Sequence, residues 1–174
     1  MVPKKLWSLG CALLLLAACG APENRWRERI AAASAAPCVM TGTLTLEGAL
    51  EPMGLTVTRQ GDGLTIELTA PPELAGLRVD FAEETARLEH RGLVMNLPEG
   101  ELPEQSVFTA LKNLLSQLPE PEPTLTRRGT QLVQTGHAGL SPYAILWNEK
   151  EMKMEQINLP GAGAVITITD FIIV

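Results

Sequence analysis

The chain is predicted to be an α+β protein, mainly β, with a single curved antiparallel sheet and two to three helices packed on its concave face. Three observations carry this. About ten short stretches alternate polar and apolar residues with a period of two, separated by turn residues. One stretch of helical spacing divides them into two runs, and a short helix precedes the first. A flat sheet of that many strands would curl or split, so curvature is expected.

Residues 1–18 are expected to be a signal peptide. Lys4 and Lys5 form a basic start, Leu6 to Leu16 is an almost unbroken apolar run, and small residues lead to Cys19. That is the three-part layout of an export signal. A spanning helix needs roughly 20 apolar residues, about twice this run, so a transmembrane helix is not expected. Leu16-Ala17-Ala18-Cys19 resembles a bacterial lipobox, in which cleavage precedes a cysteine that is already diacylated. The resemblance implies a mature chain lipidated at Cys19, with residues 19–24 as a tether and residues 25–174 as one domain. An ordinary signal peptide is the other reading of these residues. One acyl chain binds a membrane only marginally, whereas two or three would hold the protein there.

Of 14 basic residues, Lys4 and Lys5 leave with the signal, so 12 face 20 acidic ones and the mature charge is near −8. This excludes a phosphate-neutralising surface for nucleic acid and a polybasic membrane face. Cys11 also leaves with the signal and Cys19 would be acylated, so Cys38 has no disulfide partner. It is expected as a small buried residue at a strand start.

Along the mature chain, residues 23–33 read as a short helix with Trp26, Ile30 and Ala33 on one face. Alternation then predicts strands at 41–47, 55–59 and 64–69, with Gln60-Gly61-Asp62-Gly63 as a turn. Pro71 and Pro72 interrupt the sheet. Strands follow at 77–81 and 85–90, with Leu93–Leu97 as a short extension. A helix is predicted from about Pro103 to Leu118, with Pro103 in its first turn. Val107, Phe108, Leu111, Leu114, Leu115 and Leu118 share its apolar face. After Pro119, Pro121 and Pro123 the chain returns to strands at 124–128, 131–136, 144–148, 152–157 and 164–174. The last is apolar enough to be covered on both faces for part of its length.

Catalytic chemistry is not expected. His90 and His137 sit at strand ends and read as solvent-facing, and no ligand spacing for a metal is present. Gly161-Ala162-Gly163 precedes a β-rich segment and not a helix, so it is a hairpin turn and not a phosphate loop. The acidic residues are dispersed. No enzyme activity, cofactor or metal is predicted.

The order of lipidated cysteine, Trp-bearing helix, meander, Pro-rich crossing, amphipathic helix and further strands is similar to the LolA/LolB superfamily. Pro71-Pro72-Glu73-Leu74-Ala75-Gly76-Leu77-Arg78-Val79 and Leu88-Glu89-His90-Arg91-Gly92-Leu93 resemble its strand–crossing–strand segment. That superfamily comprises lipoprotein carriers and receptors, with relatives among spore-germination lipoproteins. The resemblance implies a half-barrel capped by helices, with acyl chains entering between sheet and helix. Val107, Phe108, Leu111, Leu114, Leu115 and Leu118 would then line the cavity; the other reading is that they fill the core. The aromatic content of 4% is low beside carriers of this shape.

Two functions stay open at this point. One is a membrane-anchored extracytoplasmic module that binds lipid or lipoprotein acyl chains. The other is a non-catalytic envelope scaffold that binds a protein, such as a germination or cell-wall-enzyme partner. The expected location is the outer face of the plasma membrane in a monoderm, or the outer membrane in a diderm.

Overall fold

Alternation along the chain becomes one open, antiparallel sheet of eleven strands, with two α-helices, among the residues that the computed structural model describes: 22–103, 105–118, 124–139 and 141–174. The mainly-β half-barrel predicted from the sequence is therefore the observed architecture. Helix α1 (Pro22–Ala35) leads into β1 (Cys38–Leu46), β2 (Met53–Gln60), β3 (Gly63–Leu68), β4 (Arg78–Ala82), β5 (Thr85–His90) and β6 (Leu93–Pro98). A 3₁₀ turn (Glu99–Glu101) and helix α2 (Val107–Gln117) follow. Then come β7 (Thr124–Arg128), β8 (Gln131–Ala138), β9 (Ser141–Asn148), β10 (Lys153–Leu159), a 3₁₀ turn (Pro160–Ala162) and β11 (Ala164–Ile173).

The spatial order is β6-β5-β4-β3-β2-β1-β11-β10-β9-β8-β7. Two meanders, each built of hairpins, are thus joined by their first and last strands. Cys38 lies opposite Ile173 and Leu46 opposite Ala164, so the final strand is held in the middle of the sheet. The register of this pair shifts between Thr41 and Gly42, a β-bulge. Only glycine fits there: a Cβ on Gly42 would lie 2.2 Å from the Thr167 carbonyl oxygen.

Period-two burial creates the inner face. Leu64, Ile66 and Leu68 of β3 are buried, as are Leu55 and Val57 of β2 and Ile145 and Trp147 of β9. The helices lie on this face, with Ile30 and Ala33 of α1 buried in the same core as Leu111, Leu114 and Leu115 of α2. Burial of such side chains contributes about 1.5–3 kcal/mol each. Trp26 is half-buried, and Arg29 stacks over its ring at 5.3 Å.

Four expectations need correction. The second helix begins at Val107, not near Pro103, because Ser106 is its N-cap: the Ser106 hydroxyl accepts from the Thr109 N–H at 3.1 Å. Leu93–Leu97 is not a short extension but the core of a full edge strand, paired with β5 from His90↔Leu93 to Thr85↔Pro98. β11 is not covered on both faces. Ala164, Ile166 and Phe171 are buried, but Ile172, opposite Val39 on the outer face, is about half exposed, because the described helices cover only the inner face of the sheet. Finally, His137 is exposed as expected, but His90 is half-buried, and its Nε2 is shut from solvent without a hydrogen-bond partner.

Candidate functional site

The two helices meet the inner face at a charged residue. Alternation along β2 places Arg59 on the same side as Leu55 and Val57, and it is 8% exposed. Its Nη2 donates to the Ala36 carbonyl at 2.5 Å and its Nη1 to the Leu115 carbonyl at 3.1 Å. Ala36 follows the last residue of α1, and Leu115 lies in the last turn of α2. One guanidinium on the sheet therefore satisfies main-chain acceptors at the C-terminal ends of both helices. Those carbonyls have no intrahelical donor of their own, and a cation there also complements the negative ends of two helix dipoles.

The apolar face of α2 lies beside this fastening. Leu111 and Leu114 are fully buried, Leu115, Leu118 and Val107 are buried, and Phe108 is half-buried. The structure thus brings together, against the inner face, the six residues singled out from helical spacing. Between Leu111 and Met40, Leu55, Val57, Ile157 and Ile166 there is no room for a water molecule. In this conformation the helix and sheet are in close contact.

Grooves also open at the surface, and two of them adjoin residues already singled out. One, of about 390 Å³, is lined by Arg59, Asp62, Leu64, Glu83, Lys112 and Ser116. Acidic and basic side chains both face it, so it has no single charge preference. The other, of about 310 Å³, is apolar and lies at the β5–β6 end of the sheet among Leu77, Leu88, His90, Leu93 and Met95.

Cys38 starts β1 directly opposite Arg59 in β2 and is buried, as its expected role requires. Burial pushes its thiol pKa up, and Arg59 only partly opposes this, so the group stays a thiol. In the second meander, Trp147 Nε1 donates to Gln134 Oε1 at 2.8 Å, and both residues are fully buried. Among the described residues no three His, Cys, Asp or Glu side chains gather as metal ligands. None of their helices is long and apolar enough to cross a membrane. Cys19, the expected lipidation site, and residues 1–18 lie outside the described residues, and α1 begins at Pro22, within the stretch expected as a tether.

Arg59 and Gln134 were not among the residues that the sequence pointed to. The parity of β2 carries the signal for Arg59: a basic residue in register with Leu55 and Val57 must face inward. Its partners, 23 and 56 residues away, are not readable from spacing.

No protein-family model matches the chain, and no curated protein matches it. Among solved structures it is similar to an uncharacterized conserved protein from Thermus thermophilus, with a TM-score of 0.54, 11% identity and 88% of each chain covered. That likeness is one of fold. The chain is also similar to the LolA superfamily protein NE2245 from Nitrosomonas europaea, with a TM-score of 0.44 and 8% identity over 84% of this chain and 91% of that one. A third match is in the structure of the CwlD amidase from Clostridioides difficile in complex with the GerS lipoprotein. Its TM-score is 0.44 and its identity 13%, over 89% of this chain and 94% of that one. Overlays at this level carry over neither ligand nor partner.

Proposed function

We propose that the chain is a non-catalytic, lipid-anchored protein on the extracytoplasmic face of a bacterial membrane, and that its half-barrel receives an acyl chain of a lipid or lipoprotein. The observation that supports this reading is Arg59. A buried cation on the sheet, bonded to main-chain carbonyls at two helix ends, is a fastening that can open without breaking a strand pair. Were α1 and α2 to swing away, Val107, Phe108, Leu111, Leu114, Leu115 and Leu118 would face the apolar inner strands across a newly open space. Apolar area of this kind is what an acyl chain needs, at about 0.8 kcal/mol per buried methylene.

Native mass spectrometry tests it. Protein beginning at residue 20, purified without detergent, is incubated with phospholipid or fatty acid and compared with Arg59→Leu. The expected result is a lipid adduct in both, with higher occupancy in Arg59→Leu because its helices are released. A clean apo mass in both proteins would sink the proposal. The anchor is read separately, since an unmodified Cys19 at a cut N-terminus of full-length protein would rule out lipidation.

A second reading is favoured by the tight packing beneath Leu111: an envelope scaffold whose interior stays closed and which binds another protein by its surface. Crosslinking in cells that captured one specific partner, combined with the clean apo mass, would select it.

A further inference from the structure

We propose that two copies of this chain join through strand β6 into a symmetric dimer, with the two edges paired antiparallel about Met95. Among the described residues, β6 and β7 are the two edges of the sheet. They are built very differently. β7 reads Thr-Leu-Thr-Arg-Arg and carries the charges that normally deter pairing with another chain. β6 reads Leu-Val-Met-Asn-Leu-Pro, with no charged residue, and Leu93, Val94 and Met95 are 78%, 49% and 52% exposed. A free edge with an apolar run, guarded only by the proline at its far end, is the kind that adds a strand.

Pairing with β5 places Leu93, Met95 and Leu97 on the inner side, in line with His90, Leu88 and Ala86. A two-fold axis perpendicular to the sheet keeps the inner sides of both copies together. Centring it on Met95 sets Met95 opposite its own copy, Leu93 opposite Leu97 and Val94 opposite Asn96. This register uses the five residues 93–97 and leaves out Pro98, which has no N–H to give. Centring on Val94 would bring in the turn residue Gly92, and centring on Asn96 would bring in Pro98. The seam would carry three apolar side chains from each copy and continue the groove lined by Leu77 and Leu88 from one molecule into the next.

Charge selects a second copy as the occupant. The chain has a net charge of −6, so two copies repel over most of their surface. Antiparallel pairing of identical strands, however, lays the start of each β6 beside the end of the other. The start follows Arg91, in the two-residue turn Arg91-Gly92 with φ of 50° and 82°. The end runs into the turn Glu99–Glu101, where the acidic Glu101 is exposed. Each copy thus sets a cation against the other's acidic turn, twice over by symmetry, which is the self-complementarity that a two-fold interface requires.

The test is disulfide trapping in full-length protein in detergent. Opposed residues in antiparallel strands have Cα atoms about 4.5–5.5 Å apart, within the range a disulfide spans. On oxidation, Met95→Cys is expected to yield a homodimer, whereas Val94→Cys, Asn96→Cys and the β7-edge control Thr126→Cys yield little. In sedimentation, the wild-type chain should have twice the monomer mass, and Met95→Lys, which sets two like charges opposite each other, should halve it. Monomeric wild-type protein with no Met95→Cys dimer would overturn the proposal. Equal trapping at Thr126→Cys would do so too, as would Met95→Cys linked to a different protein in place of a second copy.

Discussion

Replacing Arg59 by methionine keeps most of the apolar stem and removes both bonds to the helix ends. A hydrogen bond from a charged donor contributes about 1.5–3 kcal/mol, so the two set a ceiling of roughly 3–6 kcal/mol. Two effects lower it. The adjoining groove of about 390 Å³ is open, so water can reach the Ala36 and Leu115 carbonyls once the guanidinium is gone. Removing a buried cation also relieves its desolvation penalty. The expected net loss is about 2–3 kcal/mol, a large share of the roughly 5–15 kcal/mol that holds a domain folded. Urea unfolding should show a lower midpoint. Amide exchange should accelerate at residues 33–36 and 112–118 while β1, β2 and β11 stay protected. Arg59→Lys, which retains the charge but not the fork, should lose about half as much. An Arg59→Met protein with an unchanged midpoint and unchanged protection at both helix ends would refute the fastening.

Three further outcomes follow from the packing and charges. Leu114→Ala empties a fully buried position under α2 and should cost about 3 kcal/mol by chemical denaturation, whereas an exposed-site loss below about 0.5 kcal/mol would mean that the helix does not fill the core. Gly42→Ala must push a Cβ against the Thr167 carbonyl at the bulge, so a loss of about 1–3 kcal/mol and poorer soluble yield are expected. Burial raises the Asp80 pKa, but hydrogen bonds from Arg78 and Thr65 outweigh it and hold the carboxyl below its usual range. The stability from this pair is therefore present at neutral pH and lost as pH falls through the lowered pKa. Because Arg78 is half exposed the amount is at most about 1 kcal/mol. Asp80→Asn should lower the urea midpoint slightly at pH 7, and the difference should shrink as pH falls through the lowered Asp80 pKa.

Much of the architecture was legible because it is local. Side chains at i and i+2 share a face of a strand, so Leu64, Ile66 and Leu68 announce both a strand and its buried side. Helical spacing announces the α2 face in the same way, and the residues from Val107 to Leu118 that it selects do meet the inner sheet. The start of α2 was misplaced because Pro103 and Ser106 are both helix-start signals. The Ser106 hydroxyl decides between them by accepting the Thr109 N–H. The full length of β6 is not legible because its six residues, nearly all exposed, have no period-two contrast of polarity.

By itself the sequence determined which segments are strands and which are helices, and which residues each presents on one side. The parity that turns Arg59 inward is also present in the sequence, though nothing local shows what the guanidinium meets there. What only the tertiary structure decided is the closure of long loops: β1 against β11, where Cys38 meets Ile173, and Arg59 against Ala36 and Leu115. Any of several antiparallel orders would satisfy the same alternation, because a pleated strand pairs equally well on either edge. The order is selected by the bulge at Gly42, by the helices that must lie over one face, and by the guanidinium that reaches both of them.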